Sequence, residues 1–124
     1  MLKMEKVHED KRGEIYVISM PDGKDIVINT TKKGYARGGC YHAINDEFFM
    51  VLKGMVKLWI GNEYEMYHEG MSASIPHNEP HMMRAQEDSI TIEWGSTREE
   101  KNTYYPEYRK RVEDFNWSMN EGIK

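Results

Sequence analysis

The sequence predicts an all-β fold, a single jelly-roll barrel followed by a short C-terminal helix. Three observations carry that expectation. β-branched and aromatic residues fall in short alternating runs; Gly, Pro, Asn and Asp punctuate those runs at near-even intervals; and a helical period begins only after Gly95.

The strands follow in order. Residues 14–20 and 25–30 are β-branched runs joined by Pro21-Asp22-Gly23-Lys24, where Pro sets one corner and Gly accepts positive φ, so they read as a hairpin. Residues 31–34 turn the chain into runs 35–42 and 47–52, which are separated by Asn45-Asp46, and Gly54 sits where the chain must reverse tightly. Residues 55–60 alternate Val56, Leu58 and Ile60 against Met55, Lys57 and Trp59, and Gly61-Asn62 leads into 63–67 as a second hairpin. Runs 71–75, 81–85 and 89–94 complete about nine strands. In the tail, Tyr104, Tyr108, Val112 and Phe115 recur at helical spacing and Pro106 suits a first turn, so a helix is expected over 106–115, packed outside the barrel. Residues 116–124 are polar around Trp117 and are expected to dock on a partner subunit or to hang free.

At 124 residues the chain reads as one domain, 1–124, with its barrel core over 10–95. Such a length buries roughly two thirds of the unfolded surface and needs no covalent staples. The single cysteine rules out an internal disulfide framework, and no apolar run approaches the roughly 18 residues of a membrane span. Residues 1–11 are charged and lack a secretory apolar core, so a reducing cytoplasm is the expected location. A net charge of -4 leaves no footprint for nucleic acid, and the local patch Lys32-Lys33-Arg37 suits a small anion. The Met abundance reads as soft interior packing.

The chemistry-bearing residues converge by spacing. Cys40 and His42 are two apart and project from one face of a strand. Glu47 follows the Asn45-Asp46 turn with its carboxylate facing them, and His81 arrives after the turn over 76–80. A thiolate, two imidazoles and a carboxylate form a candidate metal site. Cys40 reads equally as a small apolar core residue, and His42 as a hydrogen-bonded core histidine. Glu47 in an interior must be paired, coordinated or protonated. His77, in the Pro-rich turn at the barrel mouth, is read as a solvent-facing rim residue within reach of a substrate or as a surrogate ligand. His8 and His68 read as surface residues. Arg37 is either a surface ion-pair partner or an anion clamp, since its fork matches a phosphate or carboxylate. Tyr35, Tyr41, Tyr64 and Tyr67 are candidate acids.

Gly34, five residues, Cys40-Tyr41-His42, four residues, Glu47, six residues and Gly54 make one pattern; Gly70, five residues, Pro76, Asn78 and His81 make a second. Together they resemble the two motifs of the cupin family. Cys40 stands where the family has its first His, Asn78 where it has an inner Gly, and Ala85 where it has a closing Asn. The resemblance implies a double-stranded β-helix barrel with its site inside. The metal expected there, with Cys40, His42, Glu47 and His81 as ligands, is a divalent ion such as zinc, iron, manganese or nickel, and no organic cofactor is expected. Within the family, Asp10-Lys11-Arg12-Gly13 and Arg37-Gly38-Gly39-Cys40-Tyr41-His42 resemble signatures of the nucleotide-sugar ketoisomerases and parts of the deoxysugar epimerases of polysaccharide biosynthesis. Those ketoisomerases use His as acid and base without needing a metal and carry Gln at the place of Glu47.

The expected function is therefore isomerase- or epimerase-type proton transfer on a nucleotide-linked sugar. His42 is the expected base, Glu47 or a tyrosine the orienting or protonating group, His81 or a metal the carbonyl polariser, and Arg37 and His77 the substrate contacts. Two alternatives stand beside it: an iron oxygenase on His42, Glu47 and His81, and a non-catalytic small-molecule-binding barrel. The expected partner is a small anionic molecule or sugar, with neither nucleic acid nor membrane, in a homodimer formed through β-rich flanks at 6–8 and 15–18.

Overall fold

The computed structural model describes residues 2–97 and 103–122. Two antiparallel sheets face each other. The first runs in the order β1 (Met4–Asp10), β2 (Gly13–Ile18), β3 (Ile26–Thr31), β10 (Ser89–Trp94), β5 (Glu47–Lys53), β8 (Ser72–Ile75). The second runs β11 (Thr103–Tyr104), β4 (Ala36–Tyr41), β9 (His81–Ala85), β6 (Met55–Ile60), β7 (Glu63–His68). Neighbours such as β10 between β3 and β5 are far apart in sequence, which is the jelly-roll pattern of strands returning between earlier ones. No described helix is long and apolar enough to cross a membrane.

Period-two alternation divides each strand between two environments. Phe49, Val51, Val56, Leu58, Ile75 and Met83 point between the sheets and fill one end of the interior. Each such side chain contributes roughly 1.5–3 kcal/mol by leaving water. On the outer face of the second sheet, Ala36, Trp59 and Met82 pack against Tyr108 and Val112 of α1 (Pro106–Trp117). The helix therefore covers one sheet, and no described element covers the outer face of the other.

The structure departs from the sequence reading at both ends. The first sheet begins at Met4, ahead of the expected core boundary, because Asp10-Lys11-Arg12-Gly13 is a hairpin turn. Asp10 accepts from the Arg12 backbone N–H at 2.8 Å and from its guanidinium at 2.7 Å. Gly13, at φ 139°, leaves no room for a Cβ beside the Thr30 carbonyl. The tail also differs. Tyr104 belongs to β11 and is exposed, and its inward role falls to Tyr105, which precedes the helix. Asn116 neither floats nor awaits a partner subunit: its amide accepts from the Ala36 N–H at 2.8 Å and donates to the Ala36 carbonyl at 3.1 Å, as a strand neighbour would. One π-helical turn, Ser118–Gly122, then lays Met119 over Gly34. Trp117 is exposed. The expectation for 123–124 lies outside the described residues.

Candidate functional site

The site is built at the open end of the interior by a deliberate loss of strand phase. In β4, Arg37 faces inward opposite Met83, and plain alternation would turn Cys40 outward. Instead the register passes from Gly38↔Met82 to Cys40↔His81, leaving Gly39 as an extra residue. This bulge resets the phase, so Arg37, Cys40 and His42 all line the same cavity. Its backbone requires glycine. Gly38 and Gly39 sit at φ 96° and 88°, and a Cβ on Gly39 would lie 2.8 Å from the Arg109 Cα. The helix holds the bulge from outside: Gly39 O accepts from the Tyr105 N–H at 2.9 Å and Gly38 O from Arg109 at 3.0 Å.

His42 follows the end of β4, where its carbonyl accepts the Asn78 N–H at 2.6 Å. Asn78 adopts φ 67°, a left-handed conformation that Asn tolerates better than most residues, so it keeps the backbone shape where the resembling motif has Gly. Glu47 opens β5 and His81 opens β9. His42, Glu47 and His81 converge with ligand atoms all within 4.8 Å of one another. Glu47 meets His42 Nε2 at 2.5 Å and His81 Nε2 at 3.4 Å, and it accepts from Ser96 Oγ at 3.1 Å. Burial pushes the Glu47 carboxyl up, but the imidazole hydrogen bonds outweigh it and hold the group at about 2. His81 moves the other way: burial lowers it, and Glu47 raises it above its ordinary value by more. Its Nδ1–H donates to the Glu79 carbonyl at 3.1 Å, and its Nε2 faces the Glu47 carboxylate in the cavity.

The cavity encloses about 380 Å³, with Phe49, Leu58 and Met83 as an apolar floor. Arg37 is 6% exposed, and burial, with Arg12 nearby, lowers its guanidinium to about 10. Its Nε donates to Thr31 Oγ1 at 2.9 Å and Nη2 to the Thr30 carbonyl at 2.8 Å. Nη1 is buried with no partner among the described residues, and no described carboxylate forms an ion pair with this side chain. A buried cation with no carboxylate in contact is costly, and the charges of Asp10 and Glu93 offset this only in part, so the arrangement favours an anion arriving from outside.

Of the residues singled out by sequence, His42, Glu47 and His81 come together, and Arg37 and Cys40 share their cavity. Cys40 stands outside the converging three, with its thiol pushed up to about 12 by burial and by the carboxylates of Glu93 and Glu47, so it remains a protonated, buried thiol. His77 is exposed on the rim. Its Nδ1 and backbone N–H both meet Asp46 Oδ1, at 2.8 and 2.9 Å, and it does not line the cavity. The sequence reading missed Glu93. Register pairs Glu93 with Phe49 and Val27, on the inward face, and so turns Ile90 and Ile92 outward. The signal available was Ser89 and Thr91, small polar residues sharing a phase with Glu93.

Two imidazoles and a carboxylate fit a divalent cation, and His42, Glu47 and His81 are the residues that would hold it. The Cupin_2 family model, a cupin domain, matches residues 30–96. No curated protein matches the sequence. Among solved structures, KdgF from Halomonas sp. superposes with TM-score 0.66 at 20% identity, over 77% of this chain and 86% of KdgF. The capsular polysaccharide assembling protein CapF from Staphylococcus aureus superposes with TM-score 0.66 at 24% identity, over 85% of this chain and 32% of CapF. The chain thus spans about a third of CapF's length. An RmlC-like cupin from Shewanella frigidimarina gives TM-score 0.65 at 15% identity, over 80% of this chain and 87% of that one. At these identities the likeness is one of fold.

Proposed function

The chain belongs to the cupin family, and we propose that its cavity isomerises an anionic keto sugar, nucleotide-linked or acidic, by moving a proton next to the carbonyl. The observation that carries this reading is the pairing, in one cavity, of a His/Glu/His cluster with a buried Arg37 whose Nη1 lacks a partner among the described residues. Arg37 takes the anionic end. His42, Glu47 and His81 face the reacting end, where a divalent cation held by them would polarise the carbonyl oxygen. With His42 uncoordinated, Glu47 at 2.5 Å orients its imidazole, and His42 serves as the base. The neighbouring CapF, a capsular polysaccharide assembling protein, supports a sugar as substrate class.

The test is solvent-deuterium exchange into nucleotide-linked 4-keto sugars and keto sugar acids, with metal content measured in parallel. Label incorporation indifferent to oxygen supports the isomerase. The donor set of two His and one carboxylate also suits iron in oxygen chemistry. Oxygen consumption by the iron-loaded protein without label incorporation would replace the first reading. Silence in both assays with tight calorimetric binding would leave a binding barrel.

We further propose a homodimer. The outer face of the first sheet presents Ile28, Met50, Phe48, Ile90, Ile92 and Trp94, half-buried or exposed with no element over them, a flat apolar surface that suits a two-fold copy of itself. Light scattering should return twice the chain mass at micromolar protein, and Ile92→Glu should return the chain mass.

A further inference from the structure

His42 cannot serve both roles assigned to it. Its Nε2 lone pair takes either a cation or a proton, and Glu47 already divides its two oxygens between the imidazoles. With the cluster engaged by a cation, the proton leaving the substrate carbon needs another acceptor. Cys40 stays protonated, Arg37 has no lone pair to offer, and Asp25 at the cavity edge accepts from the Met20 N–H at 3.2 Å.

Glu93 differs from all of these. It sits on the inward phase of β10, a central strand of the first sheet, one inward position along from the Glu47 level. Cys40 and His81 belong to the opposite sheet. Its carboxyl lines the cavity and makes no hydrogen bond with any described residue; only burial and neighbouring charges act on it.

We propose that Glu93 is the proton carrier of this site: its carboxylate removes the proton next to the substrate carbonyl and, once protonated, returns it to the adjoining carbon. The inference rests on the isomerase reading. In the forward step the C–H pair becomes a C=C bond, the carbonyl π pair moves onto its oxygen, and the proton rests on Glu93. In the return step Glu93 protonates the former carbonyl carbon, the carbonyl re-forms on the neighbour, and the hydroxyl proton passes between the two oxygens. No electrons are gained or lost. Because Glu93 lies on one wall, the proton returns to the face it left, so the product is a shifted carbonyl rather than an inverted centre.

Burial is the largest cause raising Glu93 above its ordinary value, and it acts whether or not a cation engages Glu47, so the carboxyl is suited to serve as base and acid in turn. Among the described residues, the charged and titratable groups facing it are Arg37, Cys40 and His42 from β4 and its end, Glu47 from β5, His81 from β9, Arg12 from the β1–β2 turn and Asp25 before β3.

The test compares wild type, Glu93→Gln, Glu93→Asp and His42→Ala, using nucleotide-linked 4-keto sugars in D2O followed by NMR. Glu93→Gln should slow exchange by about a hundredfold or more, with metal content unchanged and calorimetric affinity for the same sugars within about threefold. Glu93→Asp should retain measurable exchange, which separates lost chemistry from lost folding. Carboxyl-labelled glutamate should show one resonance titrating in the neutral range that vanishes in Glu93→Gln. Exchange in Glu93→Gln at the wild-type rate, with His42→Ala inactive, would overturn the assignment in favour of His42. A wild type that exchanges no label would instead overturn the isomerase reading, and this inference with it.

Discussion

Glu47 and Glu93 face one cavity from adjacent strands of the same sheet, and their surroundings drive them in opposite directions. Burial works against ionisation at both. At Glu47, hydrogen bonds and charge from His42 and His81 reverse it and hold the group at about 2. At Glu93 no described residue donates, and the charge on Glu47 adds to burial to raise it to about 7. The imidazoles engaged by the first carboxylate are the ones the second lacks. Division of donors, rather than depth, separates a cation-holding carboxylate from a proton-carrying one.

The largest expected effect would break the comparison outright. The His42→Ala, His81→Ala double variant should lose divalent metal uptake, measured by elemental analysis, while Glu93→Gln should bind metal as wild type does. Stoichiometric metal in the double variant would place the ion elsewhere.

Stability against pH sharpens the contrast, because the two shifts have opposite signs. Glu93 is raised, so its contribution is fully present below about 4.5 and is lost as pH rises towards 7. Glu47 is depressed, so its contribution is present above about 4.5 and is lost as pH falls towards 2. In urea melts of chelator-treated protein, Glu93→Gln should therefore gain on wild type by about 2–3 kcal/mol between pH 4.5 and 7.5. His81 is also raised, by Glu47 against the lowering effect of burial and in smallest part by Glu93, so most of its loss with rising pH is common to both proteins and only the Glu93-dependent part enters that difference. A difference flat with pH would show that Glu93 is not buried in the cavity without donors, as described.

Arg37→Gln should weaken an anionic sugar by about 1.5–3 kcal/mol, the cost of a charge-assisted hydrogen bond, and leave a neutral analogue nearly unchanged. Calorimetry on both ligands checks it; equal losses would point to collapse of the cavity instead. The smallest effect belongs to Asp10 in the β1–β2 turn. Its carboxyl is held well below its usual range chiefly by Arg12, so its contribution is present above about 3.8 and is lost as pH falls. Because the pair is solvent-exposed, Asp10→Asn should cost no more than about 1 kcal/mol. A cost comparable to that of a core deletion would mean the turn anchors more than its own hairpin.

Much of the architecture was legible without coordinates. The turn chemistry at Pro21–Lys24 and Gly61-Asn62, the alternation through Val56 and Leu58, and the spacing of His42, Glu47 and His81 all follow from local rules, since strand period and turn conformation depend on near neighbours. The sequence by itself determined which residues share a strand face. Only the tertiary structure decided which face is inside. For β10 the usual inference fails, because the interior at that level is a polar cavity: Ile90 and Ile92 go to the outer face while Thr91 and Glu93 go in. In β4 the alternation itself is interrupted, and the extra residue at Gly39, clamped by α1 from a distant part of the chain, brings Arg37 onto the side of Cys40 and His42. A period of two assigns residues to faces only while the register is unbroken, and whether it breaks depends on partners the local sequence does not contain.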